Sequence, residues 1–306
     1  MILIFPGQGA QSVGMGADFY KQSPAALAVF KLADSELGIP LSDMILNGPE
    51  DSLKDTAIQQ PAIVTVCVAI IEAMREAGIK TNATASAGLS LGEYAALYAA
   101  GAFDVRTCIR LVAKRGALMK SASDIKPCGM SVILKVEPDI IAAACASVAS
   151  ETGRVISPAN FNCEGQVVIS GELAALEAAE NKLKEQKARV MRLPVSGAFH
   201  SALMQPAADG LRDALKNADI RRTAFPVYAN VDAKPVSEPD DIRDRLIRQL
   251  TAPVLWMASM KALIASGETS FLEIGPGATL AGMMKRIDAA ATVASVNSVE
   301  AMNGLR

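Results

Sequence analysis

The chain is predicted to be an α/β protein, with a large α/β-hydrolase-like domain on a mostly parallel sheet and a small inserted ferredoxin-like domain. Three observations predict this. Ile2-Leu3-Ile4-Phe5 is a short run with no polar residue, the signature of a strand buried on both faces of a parallel sheet. Gly88-Leu89-Ser90-Leu91-Gly92 fits the pattern in which a strand turns sharply into a helix with a serine at the tip. Between about 128 and 195 the pattern becomes β-α-β-β-α-β, the ferredoxin-like order. The expected boundaries are 1–125 with 197–306 for the large domain and 126–196 for the small one.

After the first strand comes Pro6-Gly7-Gln8-Gly9-Ala10-Gln11. It is not a dinucleotide fingerprint: the third glycine of G-x-G-x-x-G would fall at Ser12, and no Gly-Lys-Ser/Thr follows. A loop whose amides face an anion suits it better. Helical spacing predicts helices over about 24–37 and 61–77, the second opening with Pro61 in its first turn and Gln60 at its mouth. Ala83–Gly88 reads as a small-residue strand and Tyr94–Ala100 as a helix. Asp104–Lys120 is a further helix, with Arg110, Lys114 and Arg115 on or beside its polar face and Gly116 allowing close backbone approach.

In the small domain, strands are expected at Gly129–Val136, Arg154–Asn160, Gln166–Ser170 and Arg189–Val195, with helices at Asp139–Ser147 and Glu172–Gln186. Beyond it, alternation resumes. Ala202–Asn217 and Asp240–Leu250 read as helices and Pro226–Asn230 as a strand; Phe271–Ile274 is a strand that runs through Gly275-Pro276-Gly277 into a helix ending at Arg286.

Composition excludes several classes. A content of 51% hydrophobic and 20% charged residues supports a real core. A net charge of −2 gives no general affinity for nucleic acid or anionic membranes. The five scattered cysteines, without a C-x-x-C pair, read as reduced thiols in a cytoplasmic protein, and one histidine rules out a His-rich metal centre. The run Ala62–Ile71 falls short of the roughly 20 residues of a membrane span, and the amino terminus lacks a signal peptide's basic region.

The pattern at 88–92 alone equally fits a tight turn that happens to contain serine. A serine nucleophile needs a base, and His200 is the sole histidine in 306 residues. It sits in Gly197-Ala198-Phe199-His200-Ser201, a bend between a strand-like and a helix-like stretch. If an imidazole activates Ser90, it is this one.

These motifs occur in one order along the whole chain, together with Gln60-Pro61-Ala62, Arg115-Gly116, Asn160-Phe161-Asn162 and Glu273-Ile274-Gly275-Pro276-Gly277. In this the chain resembles the malonyl-CoA:acyl-carrier-protein transacylases of type II fatty acid synthesis and, more distantly, the acyltransferase domains of polyketide synthases. The resemblance implies malonyl transfer from malonyl-CoA to a carrier protein's phosphopantetheine thiol, with no cofactor. It implies Ser90 as nucleophile and His200 as base, with a backbone carbonyl near Gln249 holding the imidazole tautomer. It implies backbone amides of Gln11 and Leu91 as the oxyanion hole, and Gln60, Asn160 and Phe199 as supporting residues. Arg115 is implied to hold the malonyl carboxylate; a charge-assisted contact of about 1.5–3 kcal/mol selects malonyl over acetyl roughly 10- to 150-fold.

The chain departs from the family pattern at Leu89, where most members carry histidine, and in a shortened segment around Lys126–Met130. An acidic carrier protein is expected to meet Lys182, Lys184, Lys187, Arg189, Lys285 and Arg286, and the protein to act as a monomer. Two alternatives share parts of this pattern: a serine hydrolase or thioesterase, and a non-catalytic carrier-binding module. No histidine follows His200, which argues against the first in its α/β-hydrolase form; the presence of Ser90, His200 and Arg115 argues against the second.

Overall fold

The computed structural model covers residues 1–306. The first half runs Ile2–Phe5 (β1), Ala17–Gln22 (α1), Pro24–Leu37 (α2), Leu41–Asn47 (α3), Thr56–Glu76 (α4), Ala85–Gly88 (β2), Gly92–Ala99 (α5) and Val105–Ser123 (α6). Then come Cys128–Leu134 (β3), Pro138–Thr152 (α7), Ile156–Cys163 (β4), Gln166–Glu172 (β5), Leu173–Glu185 (α8) and Arg189–Arg192 (β6). The last stretch holds Gln205–Lys216 (α9), Val227–Tyr228 (β7), Pro235–Val236 (β8), Pro239–Gln249 (α10), Trp256–Ala265 (α11), Ser270–Ile274 (β9), Thr279–Ile287 (α12), Thr292–Val296 (β10) and Val299–Asn303 (α13).

Two sheets result. The larger has the order β10-β9-β1-β2-β7-β8, parallel throughout except for the edge hairpin β7–β8. The smaller has the order β4-β5-β3-β6 and is fully antiparallel. This is the expected architecture, a mostly parallel α/β layer with a ferredoxin-like unit. In the parallel sheet β1 and β2 are neighbours, so the loops leaving their carboxyl ends meet, where open α/β sheets hold their ligands.

α7 and α8 cover one face of the small sheet through Ile133, Ile141, Val148, Ile169, Leu176 and Leu183. Met130, Val132 and Val168 belong instead to the main core. Backbone bonds also tie the small sheet to the segment leading into α11: the Phe161 amide donates to the Val254 carbonyl (2.9 Å) and the Val254 amide to that of Ala159 (2.8 Å).

Several expectations need correction. Helix α4 begins at Thr56, not near 61, because the Asp55 carboxylate caps it by accepting from the Ala57 amide at 2.7 Å. Pro61 therefore lies inside the helix, and Gln60 is fully buried in its body instead of standing at a mouth. At 21 residues α4 is also long and apolar enough to cross a membrane, contrary to the reading of Ala62–Ile71 as too short; 83% of its apolar window is buried in this fold. The stretch 202–217 opens as a single tight turn over Ala202–Met204 before α9 begins. The strand expected to reach Val195 ends at Arg192, and the one expected from Arg154 starts at Ile156. The sequence reading places no element at α1, α3, β8, α11, β10 or α13.

Candidate active site

The turn after β2 is closed by glycine. A Cβ on Gly88 would lie 1.9 Å from the Gly92 carbonyl carbon, and one on Gly92 would lie 2.2 Å from the Phe5 carbonyl oxygen. With the backbone this tight, Ser90 takes φ 50°, a left-handed conformation that non-glycine residues seldom adopt. His200 does the same at φ 58°. Gly197 makes room for its neighbour: a Cβ there would strike the Phe199 ring at 2.3 Å.

The two strained residues face each other. Ser90 Oγ lies 2.7 Å from His200 Nε2, and His200 Nδ1 lies 2.8 Å from the Gln249 main-chain carbonyl. A carbonyl can only accept, so Nδ1 carries the proton and the Nε2 lone pair accepts from the serine hydroxyl. Burial and, secondarily, the Arg115 charge push the His200 pKa down to about 4. The imidazole is therefore a neutral base at ordinary pH.

Arg115 is the third member. It was read as lying on or beside the polar face of its helix, but it is fully buried, on the stripe Cys108, Val112, Arg115, Met119 that faces the core. One guanidinium nitrogen donates to Gln60 Oε1 at 2.7 Å; the other donates to Ser90 Oγ and Gln249 Oε1, both at 3.0 Å. Nε has no partner, and no carboxylate forms an ion pair with the group. A buried, unpaired cation beside a nucleophile is a standing invitation to an anion. Helix α6 approaches α4 closely at Gly116, where a Cβ would lie 2.8 Å from the Thr56 carbonyl oxygen.

Ser90 and His200 open into a cavity of about 380 Å³, also lined by Gly7, Gln8, Gly9, Gln11, Leu89, Met119 and Phe199. Met130, Asn160, Leu193, Pro194 and Val195 close it from the small sheet's side. Past Leu89 it adjoins a second hollow of about 220 Å³ reaching Asn162, Thr279, Leu280 and Met283. There Gln8 Nε2 and Asn162 Oδ1 are buried without partners. The main-chain amides of Gln11 and Leu91 donate no hydrogen bond within the protein. The Gln11 side chain, by accepting from the Gly9 amide at 2.9 Å, shapes the loop.

Two residues at the site were not anticipated. Asn230 Oδ1 accepts from the Ser90 amide at 2.6 Å, and its Nδ2 donates to the Gly88 carbonyl at 2.7 Å, bracing the elbow from the turn after β7. Glu93, next after the Gly88–Gly92 pattern, accepts from the Asn230 amide and from Gln249 Nε2, both at 2.9 Å. The Glu-Ile-Gly-Pro-Gly motif has a structural explanation: the Glu273 carboxylate accepts from the Leu280 and Ala281 amides and pins the start of α12 beside the second hollow.

Of the six basic residues expected to meet a partner, Lys182 is engaged with Glu151 and Ser147 on the outer helical layer, away from the cavity. Arg286 donates to Gln166 Oε1 and the Glu164 carbonyl, on the same helix as the cavity-lining Thr279, Leu280 and Met283. Lys184, Lys187, Arg189 and Lys285 are exposed.

An elbow serine, a carbonyl-oriented imidazole and a buried guanidinium form an acyl-transfer constellation, and known proteins share the whole fold around it. Residues 2–303 match the family model of the acyl transferase domain. The chain belongs to the malonyl CoA-acyl carrier protein transacylase family. It is 42% identical over 286 residues to the malonyl CoA-acyl carrier protein transacylase of Bacillus subtilis, covering 93% of this chain and 89% of that one. To that of Escherichia coli it is 41% identical over 300 residues, covering 98% and 96%. Among solved structures, an acyl carrier protein S-malonyltransferase from Vibrio cholerae superposes with a TM-score of 0.95 at 40% identity, over 100% of this chain and 99% of that one. A malonyl-transacylase solved in complex with a type II polyketide synthase acyl-carrier protein matches equally well, with a TM-score of 0.95, 40% identity and coverage of 99% and 98%.

Proposed function

We propose that this acyltransferase moves the malonyl group from malonyl-CoA to the phosphopantetheine thiol of an acyl carrier protein, through an ester on Ser90, in supply of fatty acid synthesis. The observation that carries the reading is the contact of one hydroxyl, Ser90 Oγ, with both the His200 base and the buried Arg115 cation. In the first half-reaction Ser90 Oγ attacks the thioester carbonyl and its proton passes to His200 Nε2. The carbon–sulfur bond then breaks and the coenzyme A thiolate leaves with that proton. The carrier's thiol runs the same steps in reverse. The Gln11 and Leu91 amides, free of other acceptors, suit the oxyanion of both tetrahedral intermediates. Gln60 and Gln249 hold the Arg115 fork towards the malonyl carboxylate, and Phe199 and Asn160 wall the acyl group.

The second hollow offers a donor, Gln8, and an acceptor, Asn162, a match for the amides of a pantetheine arm. Lys285 and Arg286 on α12 stand nearest its lining and are our preferred carrier contacts; Lys182, Lys184, Lys187 and Arg189 lie on α8 and the turn and edge strand after it. The cycle is complete with these side chains and two thiols, so it calls for no cofactor. The five free, buried cysteines fit a reducing cytoplasm. All groups of the cycle come from one chain, consistent with a monomer, and we take 126–196 as the small domain that closes the cleft.

The test is the intact mass after brief exposure to malonyl-CoA without acceptor. A malonyl adduct on the Ser90 peptide, absent in Ser90→Ala, is the expected result. Free coenzyme A accumulating without an adduct would instead mean hydrolysis.

A further inference from the structure

Glu93 is a carboxylate 1% exposed, in the first turn of the helix behind the nucleophile, and the reaction scheme above gives it no part. Its carboxylate makes no hydrogen bond or ion pair with Ser90 Oγ, His200 or Arg115. Its Oε2 accepts twice, from the Asn230 amide and from Gln249 Nε2, each at 2.9 Å.

Those two partners reach every working group of the site. Gln249 Nε2 also donates to the Ser90 carbonyl at 3.0 Å, Gln249 Oε1 accepts from Arg115 at 3.0 Å, and the Gln249 main-chain carbonyl accepts from His200 at 2.8 Å. Asn230 Oδ1 accepts from the Ser90 amide. A glutamine amide has two ends of nearly equal shape, and only its surroundings decide which is oxygen. Here the carboxylate holds the nitrogen end, which leaves the oxygen end for Arg115. A carboxylate in direct contact with Arg115 would neutralise it; with Gln249 between them the guanidinium keeps only neutral partners and its charge stays uncompensated.

We propose that Glu93 is a positioning residue for acyl transfer: by holding Gln249 and Asn230 together, it sets nucleophile, base and carboxylate clamp in one register. The inference rests on the acyl-transfer reading above. It differs from a simple charge effect, since what matters is an acceptor oxygen of the right reach, and from a simple packing effect, since the clamp is reached as well as the fold.

Two substitutions separate these. Glu93→Gln keeps an oxygen at full reach and removes the charge; Glu93→Asp keeps the charge and withdraws the oxygen by one methylene. Positioning predicts that Glu93→Gln retains kcat within about 5-fold, while Glu93→Asp loses about 10- to 100-fold, the scale of a misplaced reacting group. It also predicts that Glu93→Asp erodes the malonyl-over-acetyl ratio, and that adding Gln249→Ala to Glu93→Asp costs little more than the larger single loss, because both act through one chain of contacts. Melting temperatures and Ser90 malonylation by intact mass are measured alongside. A Glu93→Asp enzyme more active than Glu93→Gln, or losses that track melting temperature with the donor ratio unchanged, would overturn the proposal. Wild-type Ser90 malonylation with both variants unaffected would sink this inference alone. Absence of the wild-type ester would sink the acyl-transfer reading, and this inference with it.

Discussion

The two sheets meet at one cavity but contribute to it unequally. Every group in the proposed chemistry hangs from the parallel sheet and its helices: Ser90 after β2, Arg115 on α6, His200 before α9, and Gln249 at the end of α10. The antiparallel sheet and the segment that follows it supply only walls, through Met130 and Asn160 of the sheet and Leu193, Pro194 and Val195 just beyond β6. Backbone tightness is local in both sheets. Near Ser90 a single added carbon has no room; in the small sheet a Cβ on Gly171 in β5 would lie 2.4 Å from the Val155 carbonyl oxygen, but one on Gly129 in β3, beside the cavity wall, would meet only ordinary contacts, the nearest being Leu173 Cδ2 at 3.4 Å. At the cavity itself, reaction geometry demands an over-determined backbone, while the β3 wall only has to be there.

The sharpest way to break this comparison is a pair of alanines. Gly88→Ala should cost the fold about 4 kcal/mol or more, in the range of diagnostic core clashes, read as loss of soluble protein or of the thermal transition. Folding intact would mean the elbow is looser than its contacts require. Next in size, Arg115→Ala should lower the malonyl-over-acetyl ratio of kcat/KM by roughly 10- to 150-fold. An unchanged ratio would remove the clamp from the chemistry and leave it a structural cation.

The third effect is on pH. Ser90 acylation requires neutral His200, whose pKa burial and Arg115 hold down to about 4. On the acid side kcat/KM should stay level well below 6.5 and bend only as pH approaches about 4. A bend near 6.5 would show an imidazole exposed to water. The sign for stability is also fixed: between 6.5 and 4 the unfolded chain binds a proton that folded His200 refuses, so this group's contribution falls as pH falls. Glu93, raised by burial to about 7 from 4.5, works oppositely, its contribution being lost as pH rises through that window. The smallest effect is Gly129→Ala, expected within about 0.5–1 kcal/mol of wild type and neutral in kcat. A large loss there would mean that β3 beside the cavity is as constrained as the elbow.

What was legible in the sequence follows the range of the forces involved. The elbow is a local event, written in Gly88, Ser90 and Gly92, and the strand–helix alternation around it is local too. His200 was legible by scarcity, as the sole histidine. Arg115 was placed on the polar face because its charge outweighed its spacing, although 108, 112, 115 and 119 already marked one stripe. At the start of α4 the sequence offers two signals, Pro61 and the Asp55 cap, and the cap is the one the helix obeys. Helix α11 has no side-chain cap to announce it, and β10 is a half-exposed edge strand without a continuous apolar run. Asn230 and Glu93 act through pairs more than 130 residues apart in sequence, where no spacing rule reaches.

The backbone bridge between β4 and Val254 has a consequence for how substrates enter. Hinged jaws would need the small sheet to swing away from the large one, breaking the paired main-chain bonds at Ala159, Phe161 and Val254 on each turnover. Lys261 with Glu164, and Arg286 with Glu164 and Gln166, would have to part as well. The β4 edge of the small sheet is thus anchored, and any change in the cleft's width has to leave these bonds in place or break them. A cavity of about 380 Å³ reached past that anchored edge suits a slender arm carried by a bulky body that stays outside.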